Sequence, residues 1–295
     1  MNAFLLTFVV LGLSTQHLTK KIYNQKNSGG AYTFSAISVL AALLFFLVAS
    51  GGRLSFTWAI VPHALGFALT YSFSILFSFL AIKEGPLSLT TLISSYSLLI
   101  PSIYGLIAWG ERFSYLLLVG IVLLMISIFL VRLDPTKNRK KKESSETAAK
   151  KPLTAKWALY VCLSFVGGGG CSTFQKDQQL KFNGAYKNEF MIVALCVTFV
   201  SILLFAWMLE KKSIFLYIKR GALPALVCGV ANAAVNLLVM ILSLRMAASV
   251  MFPIVSAGTI ITTSVLSMTV YKEKLSTCQK IGLLLGVMAI VVLNI

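Results

Sequence analysis

Residues 110–131 read GERFSYLLLVGIVLLMISIFLV and residues 272–295 read KEKLSTCQKIGLLLGVMAIVVLNI. Each stretch opens on a short polar turn holding a glutamate, Glu111 or Glu273, passes a serine, Ser114 or Ser276, and becomes an apolar run carrying Gly120 or Gly282. The two align without a gap at an offset of 162, and the register holds upstream, where Leu80 falls on Leu242 and Ser94 on Ser256. Earlier in each half, Gly30-Ala31-Tyr32 recurs as Gly184-Ala185-Tyr186 at an offset of 154. Charged and glycine positions coincide as well as apolar ones, so the chain reads as a duplication.

Composition says what is duplicated. Of 295 residues, 58% are hydrophobic and 12% charged, and the mean hydropathy is +0.86, more apolar surface than a soluble domain hides. A helix needs roughly 20 apolar residues to cross about 30 Å of hydrocarbon. Ten such runs are predicted: Met1 to Thr19, Ala31 to Ser50, Phe56 to Ile82, Pro86 to Trp109, Ser114 to Val131, Lys156 to Phe174, Tyr186 to Leu209, Gly221 to Leu244, Ala247 to Tyr271 and Thr277 to Ile295. They are continuous, unlike the alternating segments of a barrel, so an all-α membrane protein is expected. The first run has no basic residue before it and is read as a retained helix, not a signal peptide. The polar stretch 132–155 is a basic linker between a first five-helix unit, 1–131, and a second, 156–295.

The net charge of +17 is distributed as a topology signal. Of the 26 Lys and Arg residues, 20 lie in odd-numbered loops and 6 in even-numbered ones. By the positive-inside rule the odd loops are cytoplasmic and both termini extracytoplasmic in a cell (inner) membrane. Five spans per unit, an odd number, put the second copy in the membrane the other way up, as in inverted-repeat transporters. No nucleic-acid motif accompanies the charge. The five cysteines, Cys162, Cys171, Cys196, Cys228 and Cys278, show no paired spacing, and neither metal nor cofactor is expected.

Polar residues inside hydrocarbon need partners or water, which makes them site candidates. Thr70 and Ser74 are four residues apart on the third helix, and at the same offset of 162 they fall on Asn232 and Asn236 of the eighth. Tyr71 adjoins this face. Ser94 and Ser256 form an equivalent pair on the fourth and ninth helices, near Pro101 and Pro253, although hydroxyls of this kind also serve close helix approach. The sixth helix holds Gly167-Gly168-Gly169-Gly170, expected to unwind or to pack against a neighbour, and needs Gln175-Lys176-Asp177-Gln178 to complete its length. Gln16 and His17 stand at the corresponding end of the first helix. All nine carboxylates lie in loops or near helix ends. Glu111 and Glu273 read as helix-start positions favoured by the dipole.

On the repeat ends Gly110-Glu111-Arg112 through Gly120 and Lys272-Glu273-Lys274 through Gly282, the chain resembles the drug/metabolite transporter superfamily, in particular its EamA-type members with two five-helix repeats. The resemblance implies alternating access around a central cavity lined mainly by the first, third, fourth, sixth, eighth and ninth helices. It also implies export or facilitation of amino acids, drugs, sugars or related metabolites. The small multidrug exporters of the superfamily carry a glutamate in the first helix; this chain has none there, which separates it from proton exchange of that kind. The expected function is therefore secondary transport of a small polar metabolite such as an amino acid, with Gln16, His17, Thr70, Tyr71, Ser74, Ser94, Gln175, Lys176, Asn232, Asn236 and Ser256 as solute contacts. An anionic solute held by Lys176 and Lys20, or a sugar- or nucleoside-like one, is the alternative. A membrane enzyme lacks GxSxG, HExxH or paired carboxylates in the spans, and a non-transporting assembly partner would not repeat its polar intramembrane positions. The protein is expected as a monomer or homodimer.

Overall fold

Without water to satisfy N–H and C=O groups, an apolar chain closes its hydrogen bonds within each segment. The computed structural model describes residues 2–27, 29–84, 96–111, 115–132, 154–211, 213–271 and 277–293, and among these it is all-α. The helices are α1 (Asn2–Lys26), α2 (Ala31–Ala49), α3 (Val61–Glu84), α4 (Leu99–Ala108), α5 (Tyr115–Arg132), α6 (Ala155–Lys181), α7 (Lys187–Glu210), α8 (Ile214–Ser243), α9 (Ala248–Tyr271) and α10 (Thr277–Leu293). Five stretches are long and apolar enough to cross a membrane: Ala31–Ala49, Trp58–Ser78, Ala155–Lys181, Lys187–Glu210 and Ile214–Ser243. Tyr96–Ala108, Leu118–Ser127 and Ala248–Thr262 are shorter apolar helices. Several helices run past their apolar stretches, α1 to Lys26, α6 to Lys181 and α8 from Ile214. In α1 and α6 polar residues such as Lys20 and Gln178 continue the same backbone ladder, whereas α8 opens on the apolar Ile214-Phe215-Leu216 before Lys219 and Arg220. Of the expected fourth span, residues 86–95 lie outside the described residues, including Ser94.

The neighbour pattern is specific. Helix α3 packs on α6 and α1 on α8; α2 packs on α8 and α3 on α7; α1 meets α9 and α4 meets α6; α2–α7, α4–α9 and α5–α10 complete the main set. Large side chains such as Val48, Ile107, Phe215 and Leu223 face outward, a surface suited to lipid. Two apolar clusters fill the interior. One joins Leu6 and Val9 to Val235, Val239, Met251 and Val255; the other joins Val39 and Phe46 to Phe67, Phe190, Leu195 and Met240. Helix α8 contributes to both and so runs between them.

Side-chain bonds between helix ends tie the bundle at two levels. At one, Glu210, closing α7, accepts from the backbone N–H groups of Tyr32 and Thr33 at 3.2 and 2.9 Å and from the Thr33 hydroxyl at 2.7 Å. This satisfies orphan donors at the start of α2. Gly30 precedes that start at φ 86, where a Cβ would stand 2.0 Å from the Tyr23 hydroxyl, so only glycine admits the turn. At the other level, Glu189 of α7 accepts from the Ser55 N–H at 2.9 Å, and Glu111 caps α9.

The glycine run remains helical within α6 and serves close approach. A Cβ on Gly167 would lie 2.7 Å from both the Ser74 nitrogen and the Thr70 oxygen of α3, and one on Gly169 would lie 2.4 Å from Cδ1 of Ile100. The backbones of α3 and α6 are in contact because residue 167 has no side chain.

Candidate functional site

Where α1, α3, α6 and α8 meet, amide side chains form a relay. Asn232 donates from Nδ2 to Oε1 of Gln16 at 3.1 Å and to the hydroxyl oxygen of Tyr71 at 2.9 Å. One turn along α8, Asn236 donates to Oδ1 of Asn232 at 2.8 Å and to its backbone oxygen at 2.9 Å. Gln175 in turn donates to Oδ1 of Asn236 at 3.1 Å and to its backbone oxygen at 3.2 Å. The spacing of four residues places both asparagines on one face of α8, and the Tyr71 ring is braced by stacking on Phe67 at 5.4 Å between centroids. Gln16 is 7% exposed and Gln175 3%, so water does not compete for these bonds. Among the described residues the buried amide nitrogen of Gln16 has no partner, a deficit that costs about 1–3 kcal/mol when nothing fills it.

A second, charged cluster lies at the end of α6. The Lys176 ammonium donates to Oε1 of Glu111 at 2.9 Å and to the Met246 carbonyl at 3.0 Å, and stands 5.2 Å from the centre of the Trp109 ring. Glu111 also accepts from the Ala248 and Ser249 N–H groups at 2.5 and 2.9 Å and from the Ser249 hydroxyl at 2.6 Å. Burial pushes the Glu111 carboxyl up, but the bonds from Ser249, Lys176 and Ala248 outweigh it and hold it below the usual carboxylate range. Asp177, next in sequence, binds Nε2 of His63 at 3.1 Å and accepts from the Trp109 indole at 3.0 Å.

Five of the candidates, Gln16, Tyr71, Gln175, Asn232 and Asn236, therefore come together. Thr70 lies beside them but returns its hydroxyl to the Gly66 carbonyl at 2.7 Å, and Ser74 lies against Gly167 and Gly168; both stand on the α3–α6 contact. Lys176 is 2% exposed and committed to its ion pair. Ser256 is buried in α9. His17 belongs to α1, with its side chain outside the described residues, as is all of Ser94. Sequence spacing does not point to the partners of Lys176. The signal for them is the lysine itself, which at that position on a membrane-length helix requires an acid and acceptors from a neighbour.

No family model matches the chain and no curated protein matches it. Among solved structures 28 chains match. One, described only as "Crystal structure of protein", superposes with a TM-score of 0.76 over 99% of this chain and 95% of its own, at 14% sequence identity. At that identity the likeness shows a shared fold. The chain is thus a helical protein with several segments of membrane-crossing length.

Proposed function

We propose that this protein is a secondary transporter, an exporter or facilitator of a small polar metabolite such as an amino acid, working by alternating access in a cell membrane. The observation that carries the reading is the relay, a buried set of neutral polar side chains drawn from α1 and α3 of the first half and α6 and α8 of the second. Apolar spans do not place four amides and a phenol together without a use for them, because each must be satisfied away from water.

Two features support ten spans in inverted five-helix repeats, as in EamA-type drug/metabolite transporters. Exchanging α1–α5 with α6–α10 turns α3–α6 into α8–α1, α2–α8 into α7–α3 and α1–α9 into α6–α4, while α2–α7, α4–α9 and α5–α10 map onto themselves. Bonds between helix ends also join loops of the same parity: Glu210 to Thr33 among the odd loops, Glu189 to Ser55 and Glu111 to Ser249 among the even ones. That is the alternation which ten crossings, with both termini on one side, require. The Lys176–Glu111 pair then ties α6 to α9 at the extracytoplasmic end and holds that end closed, and Lys176 has no free charge to offer an anionic solute.

Counterflow in proteoliposomes tests this. Vesicles holding the purified protein and loaded with an unlabelled metabolite should accumulate the same radiolabelled metabolite, and Asn236→Leu should reduce the rate at least tenfold. If no member of a broad panel of amino acids, sugars and nucleosides exchanges above empty vesicles, the reading fails.

A further inference from the structure

The relay has a direction that its fixed points impose. Asn236 and Gln175 each aim an amide at a backbone oxygen, of Asn232 and Asn236 respectively, and a carbonyl only accepts, so nitrogen must stand there in both cases. With the Asn236 nitrogen also on Oδ1 of Asn232, the Asn232 nitrogen turns toward α1 and α3. It then meets the oxygen of Gln16 and the oxygen of Tyr71. On the α1 and α3 side, what remains unspent among the described residues are donors: Nε2 of Gln16, buried in a residue 7% exposed and without a partner, and the Tyr71 O–H, which has no acceptor. None of the five relay residues is acidic, so nothing within the relay offsets a positive charge.

We propose that Gln16 Nε2 and the Tyr71 hydroxyl recognise an sp² oxygen of the solute, the carboxylate of an acid or the carbonyl of its amide, and that solutes offering only an ammonium are refused. This deepens the transporter reading and rests on it for calling the ligand a solute; recognition itself is measurable without transport. Tyr71 lies opposite Ala233 at the offset of 162 and Gln16 lies in α1, so the acceptor is read by residues of the first half while the second half, through Asn232, Asn236 and Gln175, sets their orientation.

The test uses the full chain in nanodiscs and a panel of matched triplets: an amino acid, its primary amide, and the amine that remains when the carboxyl is removed. Thermal shift and calorimetric titration should show binding by acids, amides or both, and at least tenfold weaker binding by every amine. A shift confined to acids identifies the carboxylate as the source, and equal shifts identify the neutral carbonyl. Gln16→Glu, which replaces a donor with an acceptor of the same shape, should weaken binding at least tenfold, and Tyr71→Phe by roughly three- to tenfold, the scale of one hydrogen bond. Should Gln16→Glu lose its cooperative melt, Tyr71→Phe carries the comparison alone. Amines binding as tightly as acids, no binding by any acid or amide, or unchanged affinity in the folded variants would each overturn the assignment. Binding in nanodiscs without counterflow in vesicles would instead sink the transporter reading and leave the recognition standing.

Discussion

Lys176 and Glu111 are joined across 2.9 Å with 2% and 11% of their side chains exposed, and the same carboxylate caps the first residues of α9. The pair therefore links the end of α6 to the start of α9. Removing one partner of such a pair leaves a buried charge and costs about 3–5 kcal/mol, whereas removing both costs far less. Lys176→Met and Glu111→Gln should each lower the thermal midpoint markedly. The double variant should lie above the sum of the two losses in a double-mutant cycle. A cycle that closes additively would mean the two groups are not coupled.

The same carboxylate sets a pH dependence. Its folded pKa lies below the ordinary value of 4.5, so the stabilisation is fully present above that value. It is lost as pH falls through the lower folded value, because the unfolded state binds the proton first. Melts of the wild-type protein taken downward from neutral pH should hold level and then decline below about pH 4.5 more steeply than those of Glu111→Gln. Parallel curves would remove Glu111 from this role.

Glycine positions on α6 separate space from helix propensity. Gly167→Ala gains about 1 kcal/mol of propensity but drives a methyl group against the α3 backbone, where nothing can rotate away; overpacking of this kind costs about 1–3 kcal/mol or more. Gly168→Ala meets the Ser97 side chain, with Oγ at 2.8 Å and Cβ at 3.1 Å; the hydroxyl can turn aside and the Cβ has only to give slightly. The expected order of melting is Gly168→Ala above Gly167→Ala, with Gly167→Ala below wild type. Equal midpoints would show that α3 and α6 are free to separate.

The sequence made α8 legible because Asn232 and Asn236 are amides four residues apart within an apolar run, a pattern that hydrocarbon penalises unless both are bonded. Gln16 and Gln175 are legible differently, as polar residues at corresponding ends of the first and sixth helices, and both bond to α8. The duplication pairs Thr70 and Ser74 with these asparagines, yet both stand on the α3–α6 contact and not in the relay. A hydroxyl can satisfy itself on the carbonyl one turn back, as Thr70 does on Gly66, whereas an asparagine with two donors and an acceptor has to reach outward. The helix start that Glu111 caps is that of α9, more than 130 residues along the chain. Local spacing cannot point to a partner supplied by tertiary contact. The pairing of Lys176 was hidden for the same reason.

Asn232 offers the most selective change at the relay. Asn232→Asp keeps shape and exchanges the donating nitrogen for an oxygen that can only accept. Gln16 would then rotate to present Nε2, and the Tyr71 hydroxyl would donate instead of accepting, so both unspent donors would be consumed inside the protein. Each bond formed is worth about 1 kcal/mol or more to a buried carboxylate, which offsets part of the cost of burying its charge. The variant should therefore fold. It should bind acceptor solutes at least tenfold more weakly than wild type. Calorimetry beside the melt separates the two effects: a folded Asn232→Asp protein that binds acids or amides as tightly as wild type would show that the solute is not read by Gln16 and Tyr71.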